Sequence, residues 1–321
     1  MRAMKRYVAT RLALGLVTLF CVTVLVFVAT NMLPGDAATE ILGRGATPET
    51  LARFREQLGL DDPLVLRYGN WIWGLLHGDL GQSLTTQASI NEAIWPRLWN
   101  TLRLAGLTAL VSVPLAIGLG VLSAAREGSF LDRALAMGAL TAISFPEFFT
   151  AYLLILVFSV KLNLLPNLST IFPEMSFLEA LRAMVLPVMA LSCLVTAHMM
   201  RMTRTSILSV MSQPYIEMAF LKGVPRAAVI TRHALPNAAA PIIAVVAMNL
   251  AYLVVGIVVI EVVFVYPGLG QYMVDAVGKR DIPVVQACGV FFALAFIGLN
   301  LISDVLAVLV NPRLRRPGGG R

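Results

Sequence analysis

Three carboxylates, Glu147, Glu261 and Asp304, stand inside stretches of this chain that are otherwise apolar. A charge placed in hydrocarbon is costly, so each should face the interior of a helix bundle or a wet cavity. Glu147 sits in Ser144-Phe145-Pro146-Glu147-Phe148-Phe149. There Pro146 removes a backbone hydrogen bond and kinks the helix that carries it. Two readings of Glu147 stay open: a satisfied interhelical hydrogen bond, or the polar lining of a path for a solute, to which Pro146 and Glu261 would also contribute. Glu261 lies a few residues before Pro267-Gly268-Leu269-Gly270, in which Pro267, Gly268 and Gly270 make a structural turn. Asp304 follows Asn300 by one helical turn, so the two share a face. For Glu261 and Asp304 a contact within the bundle is the plainer reading.

The other reactive side chains form no catalytic set. His77, His198 and His233 fall in an outer segment, an apolar span and an inner loop, so no two of them can join in a metal site or a catalytic pair. Cys21, Cys193 and Cys288 lie isolated within apolar stretches and are expected to be buried, which argues against a disulfide framework, a zinc site or redox chemistry. No G-x-S-x-G, H-E-x-x-H or paired-acid motif occurs. The nearest string to G-x-x-x-x-G-K-[ST], Gly278-Lys279-Arg280, lacks the phosphate loop. No metal and no cofactor is expected in this chain, it cannot itself bind ATP in the usual way, and an enzyme reading has little to stand on.

The elements that must position these residues are dictated by composition. Of 321 residues, 58% are hydrophobic and 13% charged, with a mean hydropathy of +0.80; a soluble domain carries about a quarter charged residues. The apolar runs are long enough to cross a hydrocarbon core of ~30 Å. They predict an all-α integral membrane protein with six transmembrane helices, at about 10–33, 101–123, 134–162, 183–204, 237–266 and 284–310. The leading MRAMKR could open a signal peptide, but the apolar run from Leu12 to Leu33 is too long for one and no small-x-small site follows. It reads as a retained helix.

The net charge of +7 needs no nucleic acid to explain it. Segments 1–11, 124–133, 201–236 and 311–321 hold 15 Lys and Arg, while 161–182 and 267–283 hold 4. Basic loops stay inside, so both termini are expected in the cytoplasm. The expected order is then a cytoplasmic N-terminus (1–9), a first span (10–33), an extracytoplasmic helical element (34–100), a core of five spans (101–310) with an inner loop at 206–236, and a cytoplasmic tail (311–321). Within the extracytoplasmic element Thr47-Pro48-Glu49 opens a helix with Leu51, Phe54 and Leu58 on one face. Pro63 to His77 is aromatic and apolar on one side, and Trp71, Trp73, Trp95 and Trp99 all lie between there and the second span. Such a stretch suits the membrane interface, with lipid as its partner, or contact with an external partner.

The inner loop Gln213 to Pro236 is too structured for a tether. Its residues favour helix, and Gly223-Val224-Pro225 forces a turn between two short helices, with Pro225 suited to the first position of the second. Two short helices at an angle make a projecting elbow; an interfacial amphipathic connection is the plain alternative. Glu217-Met218-Ala219, three residues, Gly223, nine residues, then His233-Ala234-Leu235-Pro236 resembles the EAA loop of ABC-importer permeases, with Met218 and His233 departing from the usual alanine and isoleucine. Ala219 to Gly223 (A-x-x-K-G, with Lys222) and Arg232 to Ala238 are similar to the dipeptide/oligopeptide/nickel branch, and to its B-type permease. Further matching strings are Leu58-Gly59-Leu60-Asp61, Gly78-Asp79-Leu80-Gly81-Gln82-Ser83, Val265 to Gly270, Arg280 to Gln286 and Asn311 to Arg315.

The resemblance implies a type I ABC-importer permease fold and an energy-coupled importer of di- and oligopeptides; nickel chelates, opines or oligosaccharides are the alternatives. It implies a homologous second permease chain, two cytoplasmic ATP-binding subunits that hold ATP and Mg, and an extracytoplasmic solute-binding protein. The loop would be the coupling helix seated in an ATPase groove: Gly223 would allow close approach, Glu217 would touch the ATPase or cap the helix, Ala219 would keep the docking face small, and Lys222, His233, Leu235 and Pro236 would complete the surface. An ion-coupled secondary transporter relaying protons through Glu147, Glu261 and Asp304 is the competing class.

Overall fold

The computed structural model describes residues 2–32, 47–57, 62–172 and 174–310. The strings Leu58 to Asp61 and Asn311 to Arg315, the tail 311–321, and residues 33–46, from the end of the expected first span into the expected extracytoplasmic element, lie outside the described residues. Those described are helical apart from connecting turns and one isolated bridge, Gln82 to Ser89. The helices are α1 (Arg2–Asn31), α2 (Pro48–Gln57), α3 (Leu64–Leu76), α4 (Ile90–Ala125), α5 (Phe130–Ser144), α6 (Glu147–Leu154, prolonged by a π-helical Ile155–Lys161) and α7 (Phe177–Met211). They continue as α8 (Pro214–Leu221), α9 (Arg226–Val229), a π-helical Ile230–Ala234, α10 (Leu235–Val263), α11 (Leu269–Gly278) and α12 (Ile282–Val310).

Five helical segments are long and apolar enough to cross a membrane: Arg6–Asn31, Ile90–Ala125, Phe177–Met211, Arg226–Val263 and Ile282–Leu306. The pair α5 and α6 makes a sixth if it is counted as one broken span. Two helix starts are written locally. Ser129 caps α5 by accepting from the Asp132 N–H at 3.2 Å, and Ser176 and Glu179 form a reciprocal capping box at the head of α7.

Several expectations are corrected. The helix that carries the second expected span begins at Ile90, ahead of the expected 101, so Trp95 and Trp99 ride on the helix itself. Asn91, Glu92, Arg97 and Asn100 lower the hydropathy there without interrupting the backbone ladder. The expected kink at Pro146 is a full break. Phe145 is extended (φ −90, ψ 136), as residues before proline prefer, and Pro146 is extended too (φ −60, ψ 146), so α5 and α6 meet at 105°. Of the three thiols expected to be buried, only Cys288 is; Cys21 and Cys193 are exposed, because an apolar helix in a membrane protein can turn its small apolar residues outward as readily as inward.

The chain divides into two compact units. One comprises the first helical turns, Arg103–Tyr266 and the segment from Ala295. Its core is the packing of α7 on α10, flanked by α5 and α6. At Gly120 of α4 an added Cβ would lie 2.7 Å from Thr203 Cβ and 2.9 Å from the Met200 carbonyl, so glycine is what lets α4 and α7 touch. The buried Asp132 carboxylate ties three elements together. It accepts from Arg204 Nε (2.7 Å) and a second Arg204 nitrogen (2.9 Å) of α7, Ser123 Oγ of α4, and the Gly128 N–H (2.9 Å) of the turn between. Asp304 of α12 meets Arg11 of α1 at 3.3 Å, a contact within the bundle.

The other unit comprises Leu16–Leu102 and Pro267–Leu294. Ile90, Ile94, Leu269, Ala276, Val284 and Cys288 form its apolar core. Phe27 of α1 meets Tyr68 edge-on at 5.2 Å between ring centres and stacks on Trp71 at 6.0 Å, which holds α3 against α1. The Pro267 to Gly270 turn is fixed from α4: Asn100 Nδ2 donates to the Pro267 carbonyl at 2.9 Å, and Thr101 Oγ1 accepts from the Leu269 N–H at 2.8 Å.

Candidate functional site: a helical elbow and a cavity beside Glu147

The elbow is α8, the turn after it and α9. Gln213 is extended before Pro214, which opens α8 from its first turn. Ile216 is the anchor of α8, fully buried, while Tyr215, Met218 and Leu221 are 49%, 54% and 75% exposed. Glu217 and Lys222 are exposed and Ala219 is half-buried. Glu217 lies in the first turn but makes no cap bond there. The chain reverses at Gly223, whose φ of +79 is in the left-handed region that favours glycine. The Gly223 and Val224 N–H groups close the turn on the Phe220 and Ala219 carbonyls, at 2.9 and 3.2 Å. Pro225 stands one residue earlier than expected, as the extended residue just before α9.

The second arm is not a separate short helix. From Arg226 the helix passes through Ile230–Ala234 into α10 and runs on to Val263. Leu235 and Pro236 carry that helix on into α10 rather than end the elbow. The π-helical stretch leaves His233 and Pro236 exposed and turns Val229, Ile230, Ala234 and Ala238 into the core, against Ala124 and Ile207. Arg226 reaches Glu127 and the Ala124 carbonyl, both at 3.4 Å, so the elbow is also tied to the turn that Asp132 organises.

A cavity of 530 Å³ opens between α6, α7 and α10. Leucine, valine and the flexible Met202 and Met248 make most of its wall; Glu147, His198, Asn249 and Tyr252 supply the polar groups. Glu147 is the first residue of α6, so the break at Pro146 is what delivers its carboxylate to this place. Opposite stands Gly256 of α10, where an added Cβ would lie 2.6 Å from Glu147 Oε1. Of the expected lining residues only Glu147 borders the cavity; Pro146 is outside it, and Glu261 is fully buried and does not line it. Asn249 and Gly256 carried no signal in the sequence, since neither belongs to a motif; Gly256 meets Glu147 only through the packing of α10 on α6.

A third polar cluster escaped sequence reasoning, although it lies in two of the matching strings. Asp281, almost fully buried, accepts from Ser83 Oγ, the Leu84 N–H (3.0 Å), the Thr85 N–H (3.3 Å) and Thr85 Oγ1 (2.8 Å). One carboxylate thus folds the Gly78 to Ser89 loop onto the start of α12. Nearby the Arg97 guanidinium lies 4.1 Å from the Tyr272 ring centre. No group of three or more His, Cys, Asp or Glu able to hold a metal ion occurs among the described residues.

Comparison with known proteins shows the family. Residues 116–316 match the family described as binding-protein-dependent transport system inner membrane component, and residues 4–105 match the N-terminal part of the same description. A putative peptide transport system permease protein of Brucella abortus (strain 2308) is 37% identical over 97% of this chain and 99% of its own. The dipeptide transport system permease protein of Escherichia coli (strain K12) is 35% identical over the same shares. A probable peptide ABC transporter permease protein of Sinorhizobium fredii is 34% identical over 96% of this chain and 99% of its own. With both halves matched and full-length relatives above 30% identity, the chain belongs to the family of binding-protein-dependent transport system inner membrane components, as a multi-pass permease of the bacterial inner membrane.

Proposed function

We propose that this chain is one of two homologous permeases in an ATP-driven importer of di- and oligopeptides, loaded by an extracytoplasmic solute-binding protein and powered by two cytoplasmic ATPases that hold ATP and Mg. The permease function follows from the family; the peptide substrate rests on the names of the relatives. Both termini and the elbow lie in the cytoplasm in this reading, which the distribution of Lys and Arg supports.

The observation that carries the coupling role is the elbow's construction. α8 presents Tyr215, Met218 and Leu221 outward from a single buried anchor, Ile216. An apolar helical face held on a rigid base is suited to a hydrophobic groove on a partner. Glu217, Lys222 and His233 form the polar rim, Ala219 lets the groove approach, and Gly223 keeps the turn tight. Leu235 and Pro236 join the elbow to α10 without a break, so a displacement of α8 reaches the membrane through one helix. ATP binding would move the ATPases, the elbow and the α7–α10 pair as a rigid-body switch between inward-facing and outward-facing states.

The test is assembly and coupling in the purified complex. Gly223→Val should abolish co-purification of the ATPases while leaving the second permease attached. Retained ATPase binding with normal transport would remove the elbow from this role. Uptake persisting in vesicles depleted of ATP but holding an ion gradient would replace the reading with an ion-coupled transporter.

A further inference from the structure

The Glu147 carboxylate is the acidic group of the cavity, and the protein does not pair it internally. Among the described residues it makes no hydrogen bond and no ion pair. An ionised carboxylate in such a place requires a counter-charge or several donors. The surroundings favour neither a chance placement nor a repaired one. The break at Pro146 and the glycine at 256 both make room for this group: without the break α6 would not begin here, and a side chain at 256 would force the carboxylate to shift. The other polar groups of the cavity are Asn249, His198 and Tyr252. Asn249 spends its Nδ2 on the Val245 carbonyl at 2.9 Å, so its Oδ1 is left as an acceptor. The rest of the wall is apolar, and Met202 and Met248 can adapt to differing shapes.

We propose that this cavity is a resting site for the peptide in transit, in which Glu147 pairs with the peptide's N-terminal ammonium. The inference rests on the peptide-importer reading and names the residue that receives the substrate within the membrane. An α-ammonium is the cation that peptides of differing sequence share, whereas their side chains vary. A fixed anion facing adaptable apolar walls recognises the first and tolerates the second. His198 of α7 and Tyr252 of α10, which also line the cavity, would meet the peptide backbone.

The experiment uses the complete importer, with both permeases, ATPases and binding protein, in liposomes. Uptake of radiolabelled alanyl-phenylalanine is measured beside the ATP hydrolysis that the loaded binding protein stimulates. Glu147→Gln should leave assembly and stimulated hydrolysis intact and lower peptide moved per ATP by about tenfold or more, the worth of a charge-assisted hydrogen bond. Glu147→Asp should restore most of that ratio, and Gly256→Ala, which displaces the carboxylate without removing it, should lower it to an intermediate value. An unchanged ratio in Glu147→Gln overturns the proposal. So does failure of that variant to assemble while Glu147→Asp assembles, because the carboxylate then serves a neighbouring chain. A wild-type readout needs no variant: a dipeptide with a diazirine side chain, photolysed during turnover, should label Met248 or Tyr252, and labelling confined to other residues overturns the site. If the wild-type importer moves no dipeptide at all, the peptide reading fails instead.

Discussion

Asp132 shows how much of this fold hangs on a single side chain. Its carboxylate satisfies a guanidinium, a hydroxyl and a backbone N–H from three elements. Removing one partner of a buried pair leaves the other charge uncompensated, and Asp132→Ala should destabilise the protein by about 3 kcal/mol. Thermal unfolding of the detergent-purified chain checks this, with Ser123→Ala as a milder control at about 1 kcal/mol. Gly120 makes a steric counterpart: Gly120→Ala should cost about 1–3 kcal/mol in the same assay, since Thr203 and the Met200 carbonyl leave no space for a methyl group. None of these contacts could be read in the sequence. Asp132 and Arg204 are 72 residues apart, and nothing local to Gly120 distinguishes it from a lipid-facing glycine. What sequence does reveal at this scale is cost: Glu147 and Asp304 stand out because charge is scarce in such stretches, although only structure shows that Asp304 has found Arg11 and that Glu147 faces a cavity.

Among elements, the spans were legible because hydrocarbon thickness imposes a length that polar loops interrupt. Their ends were not, because Asn91, Glu92, Arg97 and Asn100 disturb hydropathy while leaving the helix of α4 intact. Pro146 was legible as a disturbance but not as a break, since the 105° angle depends on Phe145 also leaving the helical region. The turn at Gly223 was fully legible, a glycine and a proline two residues apart being a local instruction. Its conformation makes a prediction: Gly223→Ala forces a Cβ into the left-handed region at about 1–2 kcal/mol. Stimulated ATP hydrolysis by the assembled importer should drop, while the unfolding temperature of the isolated permease hardly moves.

For the whole molecule, the decisive issue is which surfaces meet lipid, water or another chain. Cys21 and Cys193 are exposed and Cys288 is buried. A membrane-permeant apolar maleimide should therefore label the first two in the folded, purified chain and reach Cys288 only after denaturation. Orientation has its own test. In a background lacking the native thiols, Ser212→Cys should react with a charged maleimide only from the cytoplasmic side and Thr86→Cys only from the outer side. The opposite pattern would invert the topology and remove the elbow from any ATPase.

The π-helical turn at Ile230–Ala234 has a consequence that concerns counting rather than chemistry. Five residues per hydrogen-bonded loop in place of four amounts to one extra residue in an otherwise regular rod, and each residue of an α-helix turns the chain by roughly 100°. The extra residue therefore sets the azimuth of α9, and through it the direction in which α8 points. Deleting any one residue from this stretch lets the helix relax to α geometry and swings the elbow around the rod, whereas most substitutions there leave its bearing unchanged. Single-residue deletions between Ile230 and Ala234 should thus uncouple the ATPases more completely than a surface substitution such as His233→Ala.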